Sequence, residues 1–149
     1  HSAGLITAAQ AFHWFEPETF RRECRRVLKP GGKVVIVYNS RHESAACTKA
    51  LADLQRRYNP GFRGFSNGMN DETYQAFFAE PCQIYRADNT QRYDRQGYID
   101  RVLSSSYSPK EGDAGYKEYL RKVCEIFDIF SEEGRIVVPA DTVAYIGTV

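Results

Sequence analysis

The sequence predicts an α/β fold built on a parallel sheet with helices packed against it. Three observations predict it. Lys33-Val-Val-Ile-Val-Tyr38 is an unbroken β-branched run, the composition of a strand covered on both faces. Gly4-Leu-Ile-Thr-Ala-Ala9 is a second, shorter apolar run that suits a buried strand. Between them Phe20, Cys24, Val27 and Leu28 recur at helical spacing and draw one apolar stripe. Strand, crossover helix and strand over residues 5–39 therefore form one right-handed βαβ unit.

The elements follow in order. Glu16-Pro17 opens the first helix, with proline in the first turn, where its missing N–H costs nothing. Arg21, Arg22, Arg25 and Arg26 lie off the apolar stripe and read as a solvated face. Lys29-Pro30-Gly31-Gly32 stops the helix and turns the chain. Residues 43–58 form a second helix with Cys47, Ala50, Leu51, Leu54 and Tyr58 on one side, ended by Asn59-Pro60-Gly61. A loop rich in glycine and aromatic residues leads to Asn70 or Asp71, either of which can cap a short helix bearing Tyr74, Phe77 and Phe78. After Pro81 a strand runs through Gln83–Arg86 towards Arg92. Helices then span Asp94 to Leu103 and Asp113 to Phe130, separated by a serine-rich break. Arg135–Pro139 and Thr142–Val149 form the last strand, bent at Pro139. Without repeat or flexible linker, residues 1–149 read as a single domain.

Twenty basic against nineteen acidic residues leave a net charge of +1. That balance argues against an electrostatically driven nucleic-acid or membrane partner and leaves small ligands open. The aromatic content of 13% fits either core packing or a ring-lined pocket. Cys24, Cys47, Cys82 and Cys124 are scattered and form no Cys-x-x-Cys pair, so neither a zinc site nor a disulfide framework is expected. Free thiols suit a reducing, cytoplasmic compartment.

Two stretches carry a family resemblance: Leu5-Ile-Thr-Ala-Ala-Gln-Ala-Phe-His-Trp-Phe15, and Glu23-Cys-Arg-Arg-Val-Leu-Lys-Pro-Gly-Gly32 with the strand after it. Together they resemble the fourth strand, following helix and fifth strand of class I S-adenosylmethionine-dependent methyltransferases. The His-Trp-Phe loop, Leu103–Tyr107 and the terminal strand are similar to the small-molecule branch that includes trans-aconitate methyltransferase. The resemblance implies the carboxyl-terminal part of a Rossmann-like methyltransferase sheet, its fourth to seventh strands, the last two an antiparallel edge pair, with helical insertions. It also implies S-adenosylmethionine as cofactor and a small-molecule substrate. The family holds its cofactor mainly through a glycine-rich loop after the first strand and an acidic residue ending the second. No Gly-x-Gly occurs in this sequence, and Gly31-Gly32 sits between helix and strand, the wrong context for that loop. Gly4 stands where the family usually has an acidic residue. The expectation is a partial domain, a fragment without the first three strands and with an incomplete cofactor site. A fourth strand uncovered at its edge is expected to favour self-association. A catalytically silent binding or assembly module is the competing reading.

The resemblance places the loop after the first strand beside the methyl donor. Ala9, Gln10 and Ala11 match cofactor-contacting positions, Ala9 by leaving room and Gln10 by hydrogen bonding. His13 matches the same loop and could act as a base near neutral pH, or could pack with Trp14 as a structural pair. Trp14 is otherwise a pocket wall. Tyr38 and Asn39 end the second strand, where ligands bind in open α/β sheets. Tyr107 could close over a substrate or pack on the sheet. Arg63 could take a carboxylate or stand in solvent, and His42 and Arg56-Arg57 have no site context.

Overall fold

The computed structural model describes residues 1–149. The elements are β1 (Ala3–Ala9), a single 3-10 turn (Phe12–Trp14), α1 (Pro17–Val27), β2 (Leu28–Arg41), α2 (Ala46–Tyr58), α3 (Asp71–Gln75), β3 (Gln83–Asp88), β4 (Gln91–Tyr93), α4 (Arg95–Leu103), α5 (Tyr116–Phe130), β5 (Ser131–Glu132), β6 (Arg135–Val138) and β7 (Ala140–Gly147). The chain groups into two compact units, residues 1–40, 66–89 and 141–149 in one and residues 41–65 and 90–140 in the other.

The first unit carries a four-stranded sheet in the order β1-β2-β7-β3. β1 and β2 run parallel with Ile6 opposite Val34 and Ala8 opposite Ile36. β3 and β7 are antiparallel, with Tyr85 opposite Ala144, and form the expected edge pair. Side chains alternate across a strand, so one face collects Ala8, Val34, Ile36, Val143 and Tyr145, all buried. Cys24 and Leu28 from the α1 segment, with Tyr74, Phe77 and Phe78, close over that face. α1 is capped by the Glu16 carboxylate, which accepts from the Glu18 and Thr19 N–H groups, with Pro17 first in the helix. Gly147 is required by close approach, because a Cβ there would lie 2.6 Å from Phe78 Cδ1.

Two local readings change. Lys29–Gly32 does not leave the sheet as a separate turn. It bulges within β2, whose pairing with β1 jumps from Ala3–Leu28 to Leu5–Lys33, and Gly31 takes a φ of +77° to make the bulge. Arg21 is not solvated like its neighbours. Its Nε donates to the Phe77 carbonyl at 2.9 Å and Nη2 to the Ala76 carbonyl at 3.0 Å, while the guanidinium lies 5.3 Å from the Phe77 ring centre. The long stem covers apolar surface and the head satisfies carbonyls at the end of the short helix α3.

In the second unit α2 and α4 pack on α5, and β4-β6-β5 form a three-stranded sheet. Leu51, Tyr98, Val102, Val123, Phe127 and Ile136 are buried between them. β5 and β6 join through Glu133 and Gly134, with φ of +49° and +74°, the two left-handed residues of a tight hairpin. The strands read as single from sequence are each divided. Pairing with β7 ends at Asp88, whereas Gln91–Tyr93 pair with β6 in the other sheet. Pro139 likewise separates β6 from β7. The helices begin later than their apolar spacing suggests. α2 starts at Ala46, and α5 starts only after Gly115, at φ +85°.

A buried polar cluster sits in this second core. Gln55 Nε2 donates to Tyr119 Oη at 2.7 Å and to Ser108 Oγ at 3.3 Å. The Ser108 hydroxyl lies 2.7 Å from the Val102 carbonyl, to which it donates, and 2.8 Å from Tyr119 Oη. Gln55 Oε1 has no partner. Removing the Tyr119 oxygen strands a buried amide donor. Tyr119→Phe is expected to lower stability by about 1–3 kcal/mol with an unchanged urea m-value. A loss no larger than that of an exposed Tyr→Phe control, such as Tyr85→Phe, would contradict this role.

In the first unit Asp71 accepts the Tyr145 hydroxyl at 2.5 Å and pairs with Arg86. The Tyr145 hydrogen bond first, and then Arg86, hold the Asp71 carboxyl below its ordinary pKa. A depressed folded pKa stabilises above the unfolded value and is lost as pH falls through the folded one. The urea midpoint is therefore expected to fall on acidification below about pH 4, the unfolded carboxylate range, and to fall less in Asp71→Asn. Parallel acid limbs in the two proteins would rule the pair out as a contributor.

Candidate functional site

The carboxyl ends of β1 and β2 build the candidate site. Their register puts Ala9 opposite Val37. The Gln10 N–H then donates to the Val37 carbonyl at 2.9 Å, and Gln10 takes a φ of +52°. A non-glycine residue in the left-handed region is uncommon, and here it turns the chain out of the sheet at the strand end. Ala9 and Gln10 are exposed and Ala11 is half-buried.

The 3-10 turn that follows is pinned by Phe12. That ring is 2% exposed and lies 4.9 Å from the Phe77 ring and 6.1 Å from Tyr74. Trp14 N–H donates to the Ala11 carbonyl and Phe15 N–H to the Phe12 carbonyl, each at 3.0 Å. With Phe12 inward, His13 faces the end of β2. Its backbone N–H donates to Tyr38 Oη at 3.0 Å, and its Nδ1 lies 3.1 Å from the same oxygen. Trp14 is 76% exposed, with its ring 4.8 Å from the His13 ring.

Tyr38 opens a row of rings. Tyr74 lies 4.9 Å from Tyr38, and Tyr145 stacks on Tyr74 at 4.7 Å before reaching Asp71. Burial raises the hydroxyl pKa of Tyr38, Tyr74 and Tyr145, so all three stay protonated at neutral pH. Asn39 Oδ1 accepts from the Thr142 hydroxyl at 2.8 Å and from Asn89 Nδ2 at 3.1 Å. Asn39 thus ties the end of β2 to β7 as well as standing at the strand terminus.

The structure therefore brings Ala9, Gln10, Ala11, His13, Trp14, Tyr38 and Asn39 to one end of the first unit's sheet. Tyr107 belongs to the second unit. It meets Phe62 edge-on at 5.0 Å, and its N–H donates to Ser105 Oγ at 3.2 Å. Arg63 lines a cleft of about 270 Å³ in that unit, with Glu43, Thr48, Lys49 and Phe65. Arg56 lines it too and is paired with Asp53 at 2.7 Å. Sequence reasoning did not single out Tyr74, Tyr145 or Asp71 as neighbours of the site, because only the strand register and the fold of α3 bring them there.

A fit to S-adenosylmethionine can be tested on these residues. Ala9 is small and exposed at a parallel strand end, and Gln10 presents an amide beside it. Both suit one wall of such a site. No Gly-x-Gly run lies among these residues. No group of three His, Cys, Asp or Glu side chains is placed to hold a metal ion. No helix is long and apolar enough to cross a membrane.

Comparisons with known proteins bear on the fold and on the amino-terminal stretch. Residues 1–36 match the methyltransferase-domain family. An uncharacterised methyltransferase-like protein of Schizosaccharomyces pombe is 39% identical over 57 residues, covering 38% of this chain and 22% of that protein. An uncharacterised methyltransferase of Mycobacterium tuberculosis is 26% identical over 96% of this chain and 57% of its own length. The chain thus spans well under two thirds of these relatives. Among solved structures, a protein assigned as a type II methyltransferase from Anaeromyxobacter dehalogenans superposes with a TM-score of 0.57 at 19% identity, over 99% of this chain and 65% of that one. The YcgJ protein of Bacillus subtilis superposes with a TM-score of 0.50 at 18% identity, over 99% and 65%. At these identities the structural likeness speaks for the fold. Residues 1–36 are thus similar to a methyltransferase domain, and the sheet with its antiparallel edge pair has the fold of the solved structures it superposes on.

Proposed function

We propose that this chain is the substrate-facing part of an S-adenosylmethionine-dependent methyltransferase that acts on a small molecule. One observation carries the reading. Ala9 to His13 leave the sheet at the carboxyl ends of two parallel strands, the position at which open α/β sheets bind ligands. The cofactor supplies the activated methyl group, and the protein's task is to bind and align the reactants. Ala9 leaves room for close approach, and the Gln10 amide offers hydrogen bonds. His13 faces the acceptor, with Trp14 as an exposed ring at the rim and Tyr38 and Asn39 closing the strand end. A net charge of +1 suits a small ligand rather than nucleic acid or an anionic bilayer. The four unpaired thiols suit a reducing cytoplasm.

These residues form one wall of a cofactor site, with no glycine-rich loop among them. Titration calorimetry of this chain with S-adenosylmethionine, or with its demethylated product, is expected to show no micromolar binding. A micromolar dissociation constant would defeat the proposal that the site is incomplete in these residues.

A second reading, a binding module without catalysis, draws support from β1. It is the outer strand of its sheet, and Leu5 on it is 55% exposed. An open edge beside an apolar side chain favours strand pairing between copies. Sedimentation is expected to show a dimer that Leu5→Lys weakens. A monomer at all concentrations would remove that support.

A further inference from the structure

The cleft of about 270 Å³ in the second unit is notable for what its lining leaves unbonded. Thr48 lines it from the first turn of α2 and is 3% exposed. A helical threonine ordinarily returns its hydroxyl to a carbonyl of the preceding turn. Thr48 Oγ1 makes no such bond and has no partner elsewhere in the chain. A buried polar group without a partner is uncommon and costs stability, so it points to a group that the chain alone does not supply. The helix end beside it is open in the same sense. Ala45 caps α2 without a side-chain hydrogen bond, and no acidic residue stands in the first turn. The partial positive charge of the first-turn N–H groups is therefore not offset by the helix itself.

The charged side chains of the cleft carry an excess of one sign. Arg56 is taken by Asp53 at 2.7 Å. Lys49 and Arg63 then stand against one further carboxylate, Glu43, whose Oε1 would lie 3.4 Å from a Cβ on Gly64. Arg63 is carried on an anchored loop. Phe62 before it is buried, Gly64 after it turns the chain at a φ of +92°, and Phe65 meets Phe62 edge-on at 5.2 Å. Phe65 walls the cleft, and the half-buried Arg41 guanidinium rests on its ring at 4.5 Å. Burial and the Arg101 cation hold the Arg41 pKa below the ordinary guanidinium value. The other groups that act on it most are Tyr98, Tyr93 and Cys47, none of them a carboxylate. We infer that this cleft binds a small oxyanion, the carboxylate or phosphate group of a small ligand, with the Thr48 hydroxyl and the first N–H groups of α2 as donors and Arg63 and Lys49 as counter-charges. The Arg63 fork fits two oxygens of either group, and Lys49 adds a point charge. The site lies within the second unit and does not depend on the methyl-transfer reading.

The test is thermal melting and amide NMR of the whole chain with sodium phosphate or sodium acetate, each against sodium chloride at equal ionic strength. A ligand held only by the folded state raises Tm, so a rise is expected with at least one oxyanion, together with saturating shifts of the Thr48, Lys49, Arg63 and Gly64 amide signals. The anion that saturates at the lower concentration identifies the group as phosphate or carboxylate. Arg63→Gln is expected to weaken binding about tenfold, the worth of one charge-assisted contact. Glu43→Gln removes the opposing charge and is expected to tighten it. Thr48→Val keeps the shape of the side chain and deletes the hydroxyl. Without oxyanion it is expected to melt at or above the wild-type temperature, because it breaks no bond within the chain, and with oxyanion it loses much of the rise. Absence of saturation with both anions overturns the inference. An undiminished rise in Thr48→Val or in Arg63→Gln places the binding elsewhere and overturns it equally. A Thr48→Val chain that melts lower without oxyanion shows a hydroxyl bonded within the fold and removes the premise. These readouts need neither S-adenosylmethionine nor activity, so failure here and failure of the methyltransferase reading are separate results.

Discussion

The parallel pairing of β1 with β2 is the constraint on which the site depends. With Ala8 opposite Ile36, both point into the core, and Ala9 opposite Val37 falls on the other face at the strand end. Side chains alternate along a strand, so slipping this register by one residue would expose Ala8 and bury Ala9. It would also move the Gln10 N–H away from the Val37 carbonyl, and with it the point where the chain turns out of the sheet. Everything downstream inherits this position. The left-handed Gln10 sets the direction of the loop, Phe12 plugs the core, and His13 meets Tyr38, the residue immediately after Val37. Two residues 25 apart in sequence are thus joined by hydrogen bonds whose geometry is fixed by the strand ladder and not by the loop.

How much of this was legible in the sequence depends on the range of the interaction involved. The βαβ unit was legible because its signals are local: a β-branched run, a helical stripe, a proline at a helix start. Even there the reading of β2 as buried on both faces holds only in part. Val34 and Ile36 are fully buried, while Val35 and Val37 are half-buried. β-branched composition reports a preference for extended backbone as well as burial, and the two cannot be separated in a short run. The divided strands were not legible, because hydrophobic alternation carries no label for the sheet a strand joins. Gln83–Asp88 and Gln91–Tyr93 look continuous until their partners are known. Pro139 was the exception: its missing N–H marked the break between β6 and β7, although it read as a bend and not as a change of sheet.

The candidate site shows the same division. Ala9, Gln10, His13 and Tyr38 were readable as strand-end residues of a family pattern. Their mutual arrangement was not, because it is a product of register. Tyr74, Tyr145 and Asp71 had no local signal at all. They come from α3 and from the last strand, and only the folded sheet stacks Tyr145 on Tyr74 beside Tyr38. Arg21 gave the opposite error. Its position off the apolar stripe pointed to solvent, yet its length lets the stem cross the helix surface and the head reach the carbonyls of Ala76 and Phe77.

The tyrosine row also explains why a phenol suits this position better than a smaller hydroxyl. A serine at position 38 would leave its oxygen near the sheet, out of reach of a loop that rises from the strand end. The ring carries the oxygen outward and packs against Tyr74 on the way. Burial then acts on the hydroxyl in a useful direction. It disfavours the phenolate, so Tyr38 remains a donor across the neutral range. The backbone N–H of His13, aimed at the same oxygen, would favour the phenolate, and burial outweighs it. The balance keeps Tyr38 protonated beside His13 Nδ1 and Tyr74, and Tyr145 holds the far end of the row against the Asp71 carboxylate. A partly exposed loop histidine beside a 76% exposed tryptophan would ordinarily sample several ring orientations. Here one oxygen engages both its backbone and its ring, so the His13 side chain is held in one orientation at this strand end.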